Sequence, residues 1–405
     1  MSRKKIFNDP VYGFVSVPYG ILFDLIEHPY FQRLRRIKQV GLTHYIYPGA
    51  LHTRFHHALG ALHLMTQAID VLRSKGVDIN DDEAEAVSIA ILLHDIGHGP
   101  FSHALEHTLV NVHHEALSLL FMQQLNRYFE GQLDLAIRIF QNSYPKRFLH
   151  QLVSSQLDMD RMDYLNRDSY FTGVSEGVIG YDRIIKMLAV SDGELVVEEK
   201  GIYSIEKFIT ARRLMYWQVY LHKTSLSAEQ LLIKALRRAK ELAQKGHQLE
   251  VSKSLAHFLY REWEMTDFEQ QPETLLNHYA QLDDVDIIAA LKNAMDGEDS
   301  TLSFLAQSII NRRLFKIELS NIPFKSDYIE KVRQTLGEKI NDKSIDLSYL
   351  LLEGKESNNA YSTLKDEIKI LFKNGQVKPM SEASDHNIDL KIITKHYLCY
   401  PKNIL

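Results

Sequence analysis

The sequence predicts a mainly α-helical fold with small β-hairpin additions, and three observations carry that prediction. Apolar residues recur at three- and four-residue spacing in one long run after another, which is the period of a helix face. Strand-like alternation is confined to a few short pieces. Acidic openings and Lys-Gly endings stand where helices start and stop.

Taken in order, KKIF and YGFVSV, broken by Asn8-Asp9-Pro10, predict a small hairpin within residues 1–20. Helical spacing runs from Leu22 to about Gly41, and Pro48-Gly49 marks a loop. FHHALGALHLMTQAIDVLRSKG predicts a helix that ends in Lys-Gly. Asp81-Asp82-Glu83 opens the next helix with acids favoured by the N-terminal dipole, and that helix runs to His94-Asp95. Gly97 and Gly99-Pro100 break it. Further helices are expected at about 101–109, 113–127, 132–142, 147–167 and 204–244. GELVVEEKGIYSI (193–205) alternates like a hairpin, DLKIITKHYLCYP (389–401) suits an edge strand, and KNGQVKPMSEASDHN (373–387) has the composition of a linker.

A chain of 405 residues holds two domains, or one large domain with an appendage. Its 45% apolar and 24% charged residues are ordinary for a globular protein. A net charge of −5 gives no global basic field to recruit nucleic acid. The single cysteine, Cys399, excludes an intramolecular disulfide framework and suits a reducing compartment. With no secretory h-region at the start and no apolar run long enough for a membrane, a soluble cytoplasmic protein is expected.

The densest chemistry lies in LLHDIGHGPFSHALEH, where four histidines and two carboxylates fall within 16 residues. Adjacent helical residues diverge by about 100°, so His94 and Asp95 can reach one ion only where a helix ends, and the Gly97/Gly99 break supplies that end. A further His and a further Asp would complete a mixed N/O site suited to Fe, Mn, Zn or Ni, with open positions for Lewis-acid catalysis. His57 in RFHHALG is a candidate, with His56 equally placed by spacing. Downstream, LDMDRMDYLNRD offers Asp160, with Asp158 and Asp163 as alternatives. A lone His on an apolar helix is more often a satisfied core residue; a charged pair after Ile-Leu-Leu at a glycine-broken helix end is harder to explain by packing.

RFHHALG, LLHDIGHGPFSH and LDMDRMDYLNRD, in that order and at those distances, resemble the HD-domain phosphohydrolases. More narrowly they look like the deoxynucleoside triphosphate triphosphohydrolases, the group of bacterial dGTPases and the vertebrate SAM- and HD-domain enzyme. The resemblance begins at FNDPVYG, continues through IKQVGLTHYIYPGALHTRF to YWQVYLHKT, and echoes weakly in IINRRLFK. It implies a helical HD core at residues 1–240 and a mostly helical region at 241–405 for assembly or regulation. It maps the metal ligands to His57, His94, Asp95 and Asp160. The implied reaction releases deoxynucleoside and intact triphosphate. His114 would protonate the leaving 5′-oxygen, oriented by Glu106 where relatives usually carry Asp, and His98 and His103 would face the α-phosphate. His107 and His113 match no family role.

There is no GxxxxGK[ST] loop to hold a triphosphate. The resemblance supplies Arg54, Arg161 and Arg212 instead, with the Tyr164 hydroxyl beside them and additional Mg on the triphosphate itself. Arg161 stands where relatives often carry Lys. Gln39 and Asp168 fall at the 3′-hydroxyl, and Tyr220 falls under the deoxyribose where a 2′-hydroxyl would clash. Some relatives are tetramers with an activating nucleotide bound between subunits, and the resemblance implies a homo-oligomer here, dimer or tetramer. The equivalent positions here are Lys5, Asn8, Gln32, Arg35, His222, Lys223, Arg312 and Lys316, and Glu27 sits where guanine-reading relatives have Asp. Two other readings compete. One keeps the metal but changes the substrate, giving an HD-type nucleotidase or phosphodiesterase. The other is a nucleic-acid-binding regulator with a vestigial pocket, which the acidic net charge opposes because non-specific binding rests on phosphate neutralisation.

Overall fold

The structure, a computed structural model, describes residues 4–102, 106, 108–358, 361–362, 366–385 and 392–402. It is mainly helical around one contiguous apolar core, as the periodicity predicts. The N-terminal hairpin forms as expected: Lys4–Asp9 pairs antiparallel with Gly13–Pro18, burying Val15 and Val17 and leaving Ile6 and Phe14 exposed. Its turn is closed by Asp9, whose Oδ1 accepts the backbone N–H of Val11 and Tyr12 at 2.9 and 3.0 Å.

The helix expected from Leu22 to Gly41 is divided into Ile21–Glu27, Pro29–Gln32 and the 3₁₀ turns Arg33–Arg36 and Gly41–Tyr45. Pro29 is the reason: it forces His28 into extended backbone and can itself only open a new helix. The next two helices match expectation. Arg54–Ser74 starts on a capping box of Thr53 with His56, and Asp81–Leu93 on one of Asn80 with Glu83.

No α-helix forms among the described residues of 101–109, where Ser102 lies in a 3₁₀ turn and Phe101 and Ser102 adopt left-handed φ of 54° and 57°. His103 and His107 lie outside the described residues. The helix His114–Tyr128 packs so close to the preceding loop that a Cβ on Gly97 would fall 2.3 Å from Ser118 N and from His114 O. Gly97→Ala is therefore expected to lower stability by about 1–3 kcal/mol through overpacking, read as a fall in melting temperature with helical content retained.

Asp134–Phe140 forms near the expected 132–142. The stretch 147–167 is two helices, Arg147–Val153 and Met159–Thr172, because Asp158 caps the second by accepting from Arg161 N at 2.7 Å. The 193–205 hairpin is corrected. Glu194–Glu198 is a strand, but its antiparallel partner is upstream, Leu188–Ser191, joined through Asp192-Gly193, a dipeptide that favours tight hairpin turns. Ile202 instead opens the helix Ile202–Met215. A π-helical turn at Tyr216–Tyr220 and a His222 cap then divide it from Lys223–Gln244, so 204–244 is not one helix. The expected boundary at 240 falls inside this last helix.

Two expectations for the C-terminal region are also corrected. Ile393–Tyr400 is the central strand of a sheet, between Lys316–Ser320 and Leu352–Asn358, and not an edge; Tyr397 to Tyr400 are all buried. Within the supposed linker, Val377–Pro379 pairs with Lys369–Leu371, and Met380 is buried. Lys369–Leu371 in turn runs parallel to Glu194–Glu198. No helix among the described residues is long and apolar enough to cross a membrane.

Candidate metal centre and substrate cavity

Three helices converge on the centre. Arg54–Ser74 contributes His57, Asp81–Leu93 ends on His94 and Asp95, and Met159–Thr172 begins beside Asp160. One ligand atom from each of His57, His94 and Asp160 lies within 4.8 Å of the others. Asp160 Oδ1 is 3.1 Å from His57 Nε2 and 3.5 Å from His94 Nε2. Asp95 stands at the rim, its Oδ1 3.4 Å from His94 Nε2 and its Oδ2 3.7 Å from His57 Nε2, while Arg54 pairs with the same Oδ2.

Both inward Nε2 atoms are buried without a hydrogen-bond partner, an arrangement that costs free energy unless a ligand completes it. The opposite ring nitrogens are fixed: His94 Nδ1 lies 2.6 Å from Ile91 O, and His57 Nδ1 donates to Asp163 Oδ2 at 2.7 Å. Each imidazole is thus held with Nε2 aimed at the cluster. Burial pulls the His57 imidazolium down, but Asp160 and Asp163 outweigh it and hold its pKa up at about 10. Burial likewise opposes the charged form of Asp160, and His57 and His94 reverse that to hold the carboxyl well below its usual range. A pocket this strongly biased toward positive charge, with imidazole and carboxylate donors, fits a divalent transition ion.

The alternatives left open by spacing differ in their surroundings. His56 faces away, its Nδ1 2.9 Å from Thr53 Oγ1. Asp158 is a buried helix cap. Asp163 orients His57 and is gripped by Arg167.

Beside the centre opens a cavity of about 650 Å³. His94, Asp95, His98, His114, Asp160, Arg54, Arg161, Tyr164, Gln39, Asp168 and Tyr220 all line it. Glu106 Oε1 accepts both the Nδ1–H and the backbone N–H of His114, at 2.8 and 2.9 Å, and the His114 ring stacks on His98 at 3.9 Å. Arg54 Nε donates to Ser102 Oγ at 2.9 Å, and Arg161 Nε to Ser155 O at 2.6 Å. Asp168 accepts from Tyr220 OH and from His52 Nε2, each at 2.7 Å. Burial pushes the Tyr164 phenol up to about 12, so it remains a hydrogen-bond donor at neutral pH.

Arg212 is buried behind Tyr216, outside the cavity lining. His113 caps its helix by accepting from Glu115 N, and its Nε2 lies 3.5 Å from Glu106 Oε1. Sequence reasoning weighed Asp163 only as an alternative to Asp160 and passed over Arg167, His52 and Ser102. The signals available were an acid and a base four apart in LDMDRMDYLNRD and a histidine in LHTRF.

Of the eight residues assigned to a second nucleotide site, Lys5, Asn8, Gln32 and Arg35 lie at the hairpin and the first 3₁₀ turn, with Arg35 Nε donating to Gln32 Oε1. His222 and Arg312 pack against Tyr47 and Tyr45, Lys223 is exposed on the next helix, and Lys316 is paired with Glu318. Among the described residues no hydrogen bond or ion pair joins the first four to the others.

Comparison with known proteins now decides the family. The HD-domain profile matches residues 54–168, the span that carries all four candidate ligands, and the HD-associated-region profile matches 179–255. A solved phosphohydrolase from Bacteroides thetaiotaomicron is 54% identical and superposes with a TM-score of 0.94, covering 99% of this chain and 100% of its own. The chain belongs to the HD-domain phosphohydrolases. It is 34% identical over 421 positions, 100% of this chain and 94% of the relative, to the uncharacterized protein YwfO of Bacillus subtilis. The deoxynucleoside triphosphate triphosphohydrolase SAMHD1 homolog of Dictyostelium discoideum is 34% identical over 271 residues, covering 62% of this chain and 52% of that protein.

Proposed function

We propose that this phosphohydrolase cleaves deoxynucleoside triphosphates to deoxynucleoside and triphosphate. The observation that carries the reading is a single cavity lined at once by the His94–Asp95–Asp160 cluster, by Arg54 and Arg161, and by the Gln39, Asp168 and Tyr220 group. A metal cluster alone would serve any phosphoester, whereas the added cations suit a chain of phosphates and the carboxylate–phenol pair suits a sugar hydroxyl. The printed activity of the Dictyostelium relative supports the same substrate class.

His57, His94, Asp95 and Asp160 would hold the ion, which when bound supplies Lewis acidity at the reacting phosphorus. Arg54 and Arg161 orient the phosphates and compensate developing charge. Water adds to the α-phosphorus as the bond from that phosphorus to the 5′-oxygen breaks. His114, its Nδ1 proton committed to Glu106, delivers a proton to the departing 5′-oxygen, and His98 supports the phosphate from the stacked position. Asp168 accepts the 3′-hydroxyl, and Tyr220 closes the face of the sugar where a ribose would crowd.

In the same reading residues 1–240 form the hydrolytic core, and 241–405 serve assembly and regulation. The Lys5 and His222 groups meet a second nucleotide between subunits. The experiment is a product assay with Mn²⁺ and each dNTP, alone and in mixtures. Deoxynucleoside plus triphosphate is the expected result, and turnover confined to mixtures would identify an activating nucleotide. Monophosphate plus pyrophosphate, or hydrolysis of monophosphates only, overturns the substrate class while leaving the phosphohydrolase family intact.

A further inference from the structure

A line of buried polar groups runs from the N-terminal hairpin to the metal centre, and the proposed hydrolysis uses none of it beyond His57. We propose that Asp163, Arg167 and Asp9 are positioning residues through which the hairpin sets the affinity of the His57 cluster for a divalent ion.

The links are continuous. His57 Nδ1 donates to Asp163 Oδ2 at 2.7 Å, which keeps the proton on the far side of the ring and the ligating nitrogen toward the cluster. Arg167 grips the same carboxylate with both arms of its fork, Nε to Oδ2 and Nη2 to Oδ1, each at 2.9 Å. Its remaining arm, Nη1, donates to Asp9 Oδ2 at 2.8 Å. The other oxygen of Asp9 is spent on the hairpin turn itself, at Val11 and Tyr12. Tyr12 also lays its ring 5.5 Å from the Arg167 guanidinium carbon, so the hairpin supplies both the anion and the aromatic cover.

The central pair is packed directly against the backbone of Gly60. A Cβ on Gly60 would fall 2.0 Å from Asp163 Oδ1 and 2.2 Å from Arg167 Nη2, so glycine leaves the space the pair occupies. The side chains of His57, Asp163 and Arg167 are fully buried and that of Asp9 is 4% exposed. Buried ion pairs of this kind contribute little net stability compared with apolar residues of the same volume, which favours a role in orientation over one in holding the fold. Each group in the chain is buried and hydrogen-bonded to the next, so a change of charge at Asp9 is felt at Arg167, then at the strength with which Asp163 accepts from His57.

The test titrates Mn²⁺ alone into the metal-free protein by calorimetry, with thermal melting of each variant beside it. Asp9→Asn keeps an oxygen for the turn and removes the charge; it is expected to weaken Mn²⁺ binding by about ten-fold while melting cooperatively. Arg167→Lys should fall between wild type and Arg167→Met. Unchanged affinity in a folded Asp9→Asn protein overturns the proposal. If these variants do not fold, the wild type decides, since coupling between two sites is reciprocal. Mn²⁺ should slow amide exchange in residues 4–18 and leave the sheet of Lys316–Ser320 and Ile393–Tyr400 unchanged. Exchange in the hairpin that is indifferent to Mn²⁺ overturns it.

Discussion

His94→Ala and Asp160→Ala are each expected to purify without stoichiometric metal and to lose at least about a thousand-fold in turnover. Loss of the Lewis acid removes several kcal/mol of transition-state stabilisation, and each 1.36 kcal/mol is a factor of ten in rate. The geometry explains why neither residue has a substitute. His94 Nε2 and His57 Nε2 are the two orphaned buried nitrogens that converge here, and Asp160 brings one oxygen, Oδ1, within 3.5 Å of both. Asp95→Ala should behave differently in one respect: it also releases Arg54, which pairs with Asp95 and lines the cavity. Elemental analysis and a rate measurement on the same preparation check all three variants. Full metal occupancy in His94→Ala or Asp160→Ala would remove that residue from the ligand set.

What could be foreseen of this site depended on whether a signal was local. The His94-Asp95 dipeptide was legible because a charged pair at a glycine-broken helix end is hard to explain by packing, and the structure does end the helix at Leu93. Asp163 was legible only as an alternative to Asp160, and its pairing with Arg167 was not legible. An acid and a base four apart on a helix read the same way on a solvated face as in a core, and only the burial of both distinguishes them. Among the backbone elements, capping and glycine endings placed the helices from Arg54 to Leu93 well. The divided stretches failed where one residue changes the local preference: Pro29 before the Arg33 turn, Asp158 between two helices, His222 after the π turn. The sheet partners failed for another reason. Glu194–Glu198 pairs with Lys369–Leu371 across a very long sequence separation, and no local pattern records such a pairing.

His114→Gln is expected to lower the chemical step by about 10²–10⁴-fold, the usual contribution of a positioned proton donor. Metal held by His57, His94 and Asp160 should be unchanged, because His114 belongs to the helix His114–Tyr128 and to a separate group with Glu106 and His113. The hydrogen bonds make the assignment specific. Glu106 takes the Nδ1 proton and the backbone N–H of the same residue, so the ring is fixed by two bonds to one carboxylate oxygen and by stacking on His98. Glu106→Gln should therefore reproduce part of the loss by weakening the acceptor that orients the ring. A leaving-group comparison separates proton donation from general damage. A substrate analogue that releases a phenolate of low pKa needs no proton, so His114→Gln should hydrolyse it at close to the wild-type rate while remaining slow on the nucleotide. Equal losses on both substrates would show that His114 shapes the cavity and that the proton reaches the 5′-oxygen by another route.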